Sequence, residues 1–207
     1  MPRTLPPRGS SRYFEMNQRS QDKFTQGAAV AARAGYASED FGGSTASVSA
    51  ALRNCIKKRP KCAPYKYLFE KHGSGLFNAA VLCEQAVQES GCNPTILGPM
   101  TRYGRAGGFV QFIESTWNNF CKPKGFSNRL DADDNLGCAV AYDKFLYERY
   151  ATKASCPGYS AFDLTFAAYN SGPGYIVRCE FTRFRSDETR NYVASITKRV
   201  SDDARFA

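Results

Sequence analysis

The chain has 207 residues, with 28 Lys+Arg against 19 Asp+Glu, eight Cys, one His and one Trp. That length holds one ordinary domain with some extra chain, or two small ones, and 43% hydrophobic with 14% aromatic residues is enough for a core and argues against global disorder. The lone His72 excludes a three-His zinc site and leaves a Ser/His/Asp triad no other histidine, and no apolar run reaches the roughly 18 residues that a membrane span needs.

The net charge of +9 is uneven: residues 1–62 carry 11 Lys+Arg and 4 Asp+Glu, residues 63–207 carry 17 and 15. The front is also rich in Pro, Gly and Ser, as in Pro6-Pro7, Gly9-Ser10-Ser11 and Gly42-Gly43-Ser44. Such composition seldom builds a core alone. It predicts an N-terminal extension over residues 1–60, with an arm over 1–15 and short helices over 17–34 and 45–58. A basic arm suits a polyanionic partner (nucleic acid, anionic lipid or an acidic wall polymer), and a solvated tail is the equal alternative.

Residues 61–207 read as an all-α domain of about six to eight helices, since no sustained period-two run marks a strand. Apolar Phe77, Ala80, Val81 and Val87 predict a helix over 76–89 that stops at Gly91. Asn93 to Gly108 follows as a loop with two Pro and four Gly, long enough to be functional or mobile. A short helix is expected over Ser115–Phe120. Cys138, Ala141, Tyr142 and Phe145 fall at i, i+3, i+4 and i+7 in a helix over 133–150, with acidic residues at its start to suit the dipole. A shorter helix over 163–169 ends at Ser171-Gly172-Pro173-Gly174, and the last opens at Ser186-Asp187-Glu188 and runs through Tyr192, Ile196 and Val200.

Glu89 closes an otherwise apolar helix at its negative dipole end. Burial and dipole both favour the protonated carboxyl, and a carboxylic acid still protonated near neutral pH is what general-acid catalysis needs. A surface Glu near a helix end is the plainer alternative.

The neighbourhood decides between them. Glu89-Ser90-Gly91-Cys92-Asn93-Pro94 resembles the Glu-Ser-x-x-Asn-Pro signature of the soluble lytic transglycosylases, which cleave the glycan strand of peptidoglycan. Gly108-Phe109-Val110-Gln111, Ser115-Thr116-Trp117, Asn135-Leu136 with Tyr142, Ala168-Tyr169-Asn170-Ser171-Gly172-Pro173-Gly174 and Glu188-Thr189-Arg190-Asn191-Tyr192-Val193 resemble further blocks of that family, in the family's order. Each is weak alone; together over residues 76–196 they are specific, and residues 1–60 are not covered.

The resemblance implies a lysozyme-like fold, no cofactor and no metal, with Glu89 as the sole catalytic acid/base cutting the MurNAc–GlcNAc β-1,4 bond to leave 1,6-anhydroMurNAc. By matching position it implies that Ser90 supports the substrate or the Glu89 carboxyl. Gln111 donates to the muramic N-acetyl or lactyl group, and the Tyr169 hydroxyl reaches Glu89 or the substrate. Asn170 lines the groove, Glu188 and Tyr192 line its far wall, and Tyr103 is a further stacking candidate. Trp117 and Tyr142 are assigned to the core. Glu114 departs from the pattern by putting a second carboxylate three residues after Gln111. A hydrolytic lysozyme, with Glu89 as acid and Glu114 as base, is therefore the alternative. A structural or peptidoglycan-binding component of an assembly is another; the charge of residues 1–62 is the only pointer to nucleic acid.

No Cys pair has CxxC spacing, so zinc is not indicated. Cys83 and Cys138 fall on helices and could be buried thiols; the even count equally fits up to four disulfides, of which at least two are expected, with pairing open. The expected place of action is the periplasm or wall. No export signal is legible, so either the chain was trimmed or it reaches the wall another way; the expected carrier is then a phage virion or a secretion or conjugation machine, with the basic arm suited to docking on a particle or on DNA.

Overall fold

The computed structural model describes residues 45–100, 104–181 and 186–205. The predicted arm, the predicted helix over 17–34 and Tyr103 lie outside them. The protein is mostly helical, and among the described residues no helix is long and apolar enough to cross a membrane.

Helix α1 (Thr45–Lys58) matches its predicted span, and it packs on the later helices through buried Ala51, Leu52 and Cys55. The sequence reading placed it with the extension, but its apolar face is part of the common core. A 3-10 turn (Pro60–Tyr65) leads into α2 (Lys66–His72), an element the apolar periodicity did not single out.

Helix α3 (Ala79–Ser90) starts three residues later than predicted. Ser74 and Phe77 form a β-bridge instead, and the Asn78 side chain accepts from the backbone N–H of Ala80 and Val81, satisfying two donors that a helix start leaves open. It stops where expected: Gly91 takes a left-handed φ of 62°, which a side chain would strain. Every residue from Ala79 to Ala86 is buried, because α1, α2 and the last helix surround α3.

The glycine-rich stretch then gives way to a small hairpin. Strands β1 (Ala106–Gly107) and β2 (Phe112–Ile113) pair antiparallel, with Ala106 opposite Ile113. Two-residue strands leave no period-two signal to read. The expected helix over 115–120 is a short run of mixed pitch, Glu114–Thr116, Trp117–Cys121 and Lys122–Lys124. Trp117 is buried there, as assigned.

Helix α4 (Ala132–Arg149) is capped by Asp131, whose side chain accepts from Asp134 N–H. Helix α5 (Ala161–Ser171) opens on a capping box between Ser160 and Asp163. Helix α6 (Ser186–Arg205) carries Asp187 and Glu188 in its first turn. Around Phe112 the rings of Trp117, Tyr142 and Tyr169 lie 5.7–5.9 Å away, centroid to centroid, which seats the hairpin on α4 and α5.

All eight cysteines are paired: Cys55–Cys83, Cys62–Cys92, Cys121–Cys138 and Cys156–Cys179. Cys83 and Cys138 are thus half-cystines rather than buried thiols. Closing loops of this size stabilises by about 2–4 kcal/mol each. The first two bridges bracket the end of α3, joining Cys83 to α1 and Cys92 to the 3-10 turn.

One glycine is fixed by crowding. A Cβ on Gly108 (φ 84°) would collide with the Asn135 amide and the Arg129 carbonyl. Gly108→Ala is therefore expected to destabilise by about 3 kcal/mol or more, from overpacking and left-handed strain, measured by thermal or denaturant unfolding.

Candidate active site

Glu89 sits in the last turn of α3, half-buried. Its Oε1 accepts a 2.6 Å hydrogen bond from the Tyr192 hydroxyl on α6, and Tyr192 is only 2% exposed. A bond of this length holds the carboxyl in one orientation. The sequence reading gave Tyr192 to the groove wall and had the Tyr169 hydroxyl reach Glu89 or the substrate. Tyr169 donates its hydroxyl to the Val110 carbonyl at 2.6 Å and ties α5 to the hairpin turn.

The other expected site residues bond to the protein's own backbone and side chains. Ser90 Oγ donates to Ala86 O and accepts from Asn93 N–H, both at 3.1 Å, so it joins the end of α3 to the following loop. Gln111 has a φ of 52°, and its side-chain amide donates to Gly108 O at 2.8 Å and Ile96 O at 3.1 Å. Both its N–H groups thus serve the turn and the loop. Asn170 is buried and accepts from Thr189 Oγ1 at 2.8 Å, linking α5 to α6 three residues before Tyr192. Glu188 lies half-buried in the first turn of α6, and Gly172 has a φ of 93° at the end of α5.

Glu114 is exposed, at the foot of β2. Its carboxylate lies against Gly104 and attracts the Arg129 guanidinium, whose pKa is nonetheless lowered, chiefly by burial. Arg129 in turn donates to the carbonyls of Arg105 and Phe112, so this carboxylate and arginine together serve the hairpin.

Further residues position the site, and only Asn135 among them lay in a block singled out in the sequence. Fully buried Asn135 on α4 accepts from Val110 N–H at 3.0 Å and donates to Arg129 O at 2.8 Å, which fixes the Gly108–Gln111 turn from below. Arg199 on α6 reaches across to Glu84 Oε2 and to Gln88 Oε1 at 2.9 Å, clamping α6 to α3 beyond the Glu89–Tyr192 contact. Asp143 on α4 is 1% exposed, takes a 3.3 Å bond from Gln85 Nε2, and is close enough to Glu89 to feel its charge. A polar residue on the apolar face of an amphipathic helix was a signal that could have marked Glu84.

A half-buried glutamate at a helix end, oriented by a buried tyrosine, is suited to donating and retrieving one proton at a fixed point. The model of the transglycosylase SLT domain matches residues 73–192, more than half of the chain. The chain belongs to this family. Comparison with curated proteins and comparison with solved structures give no match. SLT membership supports a peptidoglycan-cleaving function of lytic transglycosylase type, and the matched span runs from the loop before α3 to Tyr192 itself. Within this SLT domain, Tyr192→Phe removes the hydrogen bond to Glu89. It is expected to lower kcat for glycan cleavage by about 10–100-fold, the worth of one bond to a charged group, with KM nearly unchanged.

Proposed function

We propose that the protein is a lytic transglycosylase that cuts the MurNAc–GlcNAc β-1,4 bond of peptidoglycan with Glu89 as the only acid/base. The observation that carries this reading is the half-buried Glu89 carboxyl held by Tyr192 Oη at 2.6 Å, at the position of the family's catalytic motif. Glu89 first protonates the leaving glycosidic oxygen. Positive charge growing at the muramic anomeric carbon is relieved by that sugar's own N-acetyl oxygen, the substrate-assisted route. Glu89, now a carboxylate, takes the proton of the 6-hydroxyl as that oxygen bonds the anomeric carbon and displaces the N-acetyl group. The acid is regenerated, a 1,6-anhydro end forms and no water is consumed. Tyr192 keeps the carboxyl aimed through both steps; Ser90, Gln111, Tyr169, Asn170 and Glu188 keep the walls in place around the sugar.

Mass analysis of muropeptides released from isolated peptidoglycan tests this. Products one water lighter than hydrolytic ones are expected. Products with reducing ends would move the case to a lysozyme and make Glu114 the next residue to replace.

The setting proposed is local wall opening by a virion or by a secretion or conjugation machine. Four disulfides support action outside a reducing cytosol. The excess of 11 Lys+Arg over 4 Asp+Glu in residues 1–62 supports a docking role for the extension. Presence of the protein in purified particles, or absence from them, decides this point.

A further inference from the structure

Gln85 and Asp143 face each other across α3 and α4, 0% and 1% exposed. Gln85 Nε2 donates to Asp143 Oδ1 at 3.3 Å. The second oxygen of each side chain, Gln85 Oε1 and Asp143 Oδ2, is buried with no hydrogen-bond partner. Two acceptors left over from one side-chain pair are explained together by a single proton placed between them. A carboxylic acid and a primary amide then form a ring of two hydrogen bonds, N–H to carbonyl oxygen and O–H to carbonyl oxygen. Left ionised, Asp143 would be a desolvated charge with one weak bond, an arrangement that costs several kcal/mol in a protein interior.

We propose that Asp143 is a protonated positioning residue, donating from Oδ2 to Gln85 Oε1. The ring so formed fixes α3 one turn before Glu89 without adding a second charge beside it. Gln85 and Glu89 are four residues apart and so share one face of α3. Burial pushes the Asp143 carboxyl well above the usual carboxylate range, and the nearby Glu89 charge pushes the same way. Among the described residues, the titratable groups around α4 bond elsewhere: Lys144, beside Asp143, donates to Ser74 Oγ. Tyr142, on the same helix, is itself pushed up by burial and stays neutral. Tyr169 from α5 turns its hydroxyl to Val110. Lys71 and His72 from α2 are engaged by Asp133, ten residues earlier on α4. The consequence is that Glu89 ionises without a competing buried carboxylate. The functional part of this inference rests on Glu89 being the acid; the protonation of Asp143 does not.

The sign of the pH effect follows. A carboxyl whose folded pKa is raised costs stability as pH climbs from its unfolded value, about 3.9, toward its folded one. Asp143→Asn cannot ionise, and its amide N–H can still donate to Gln85 Oε1. Melting temperatures of wild type and Asp143→Asn should therefore agree near pH 4 and separate as pH rises, with the variant higher at pH 7. The carbonyl infrared spectrum at pH 7 should show one more protonated carboxylic acid in wild type than in the variant. Asp143→Leu leaves the Gln85 amide without partners; it should melt lower and lose about tenfold or more in kcat through misplacement of Glu89, while Asp143→Asn restores the rate. A variant Asp143→Asn that melts below wild type at pH 7, or lacks a rate advantage over Asp143→Leu, overturns the inference. The melting comparison uses no activity, so it stands or falls separately from the role of Glu89.

Discussion

Glu89→Gln is expected to lower peptidoglycan cleavage by about 10³-fold or more while leaving the melting temperature unchanged. The carboxamide has the shape of the carboxyl, and its oxygen still accepts the Tyr192 hydroxyl, so the contact between α3 and α6 survives. What it lacks is an acidic proton to give and a basic oxygen to take one back. Both halves of the proposed reaction fail at once, which is why the loss should exceed that of Tyr192→Phe by at least an order of magnitude. Turnover of purified peptidoglycan, followed by released muropeptides, measures it. Cleavage persisting near the wild-type rate would mean that another carboxylate is the acid, and Glu114 would be replaced next.

The second large effect is on stability. Glu84 has a side chain only 2% exposed, and Arg199, 24% exposed, is its counter-ion. Arg199→Ala takes this counter-ion from a buried carboxylate, and removing one partner of such a pair costs about 3–5 kcal/mol. The variant also frees Gln88 from its bond to the guanidinium. Denaturant unfolding should show the full loss for Arg199→Ala. Arg199→Ala combined with Glu84→Gln should recover part of it, because the buried group is then neutral. Equal stabilities for the single and the combined variant would show that helix packing, rather than the ion pair, dominates the contact. Since α3 and α6 carry Glu89 and Tyr192, the single variant should also lower cleavage.

Local rules made much of this protein legible before any fold was known. The stop of α3 at Gly91, the acidic openings of α4 and α6, and the span of α1 each depend on residues within one or two helical turns. The motif order around Glu89 was legible for the same reason: each block is contiguous in the chain. The hairpin was missed because two-residue strands carry no alternation. Helix α2 was missed because it is one short helix of seven residues held by tertiary packing.

That Tyr192 meets Glu89 was not legible in this way. Tyr192 and Glu89 are 103 residues apart in the chain, and Glu84 and Arg199 are 115 apart. Both Tyr169 and Tyr192 lie in blocks matching the family, and only tertiary packing puts the Tyr192 hydroxyl on Glu89 and the Tyr169 hydroxyl on the Val110 carbonyl. Tyr169 turned to the hairpin because the Val110 carbonyl lies in its reach, and Tyr192 is brought to α3 by the same face of α6 that buries Val193 and Ile196. Cysteine pairing is of this kind as well, since eight cysteines allow about 105 connectivities and sequence spacing does not rank them.

The sequence by itself determined the fold class and the family, and marked Glu89 as the candidate acid, because periodicity, caps and contiguous motifs are short-range properties of a chain. Tertiary structure alone decided that α1 belongs to the core, that four bridges form and in what pairs, that Tyr192 orients Glu89, and that Gln85 meets Asp143 out of water. Each of those depends on burial and on contacts between distant segments, and burial is what turns an ordinary aspartate, glutamate or tyrosine into one with a single possible partner.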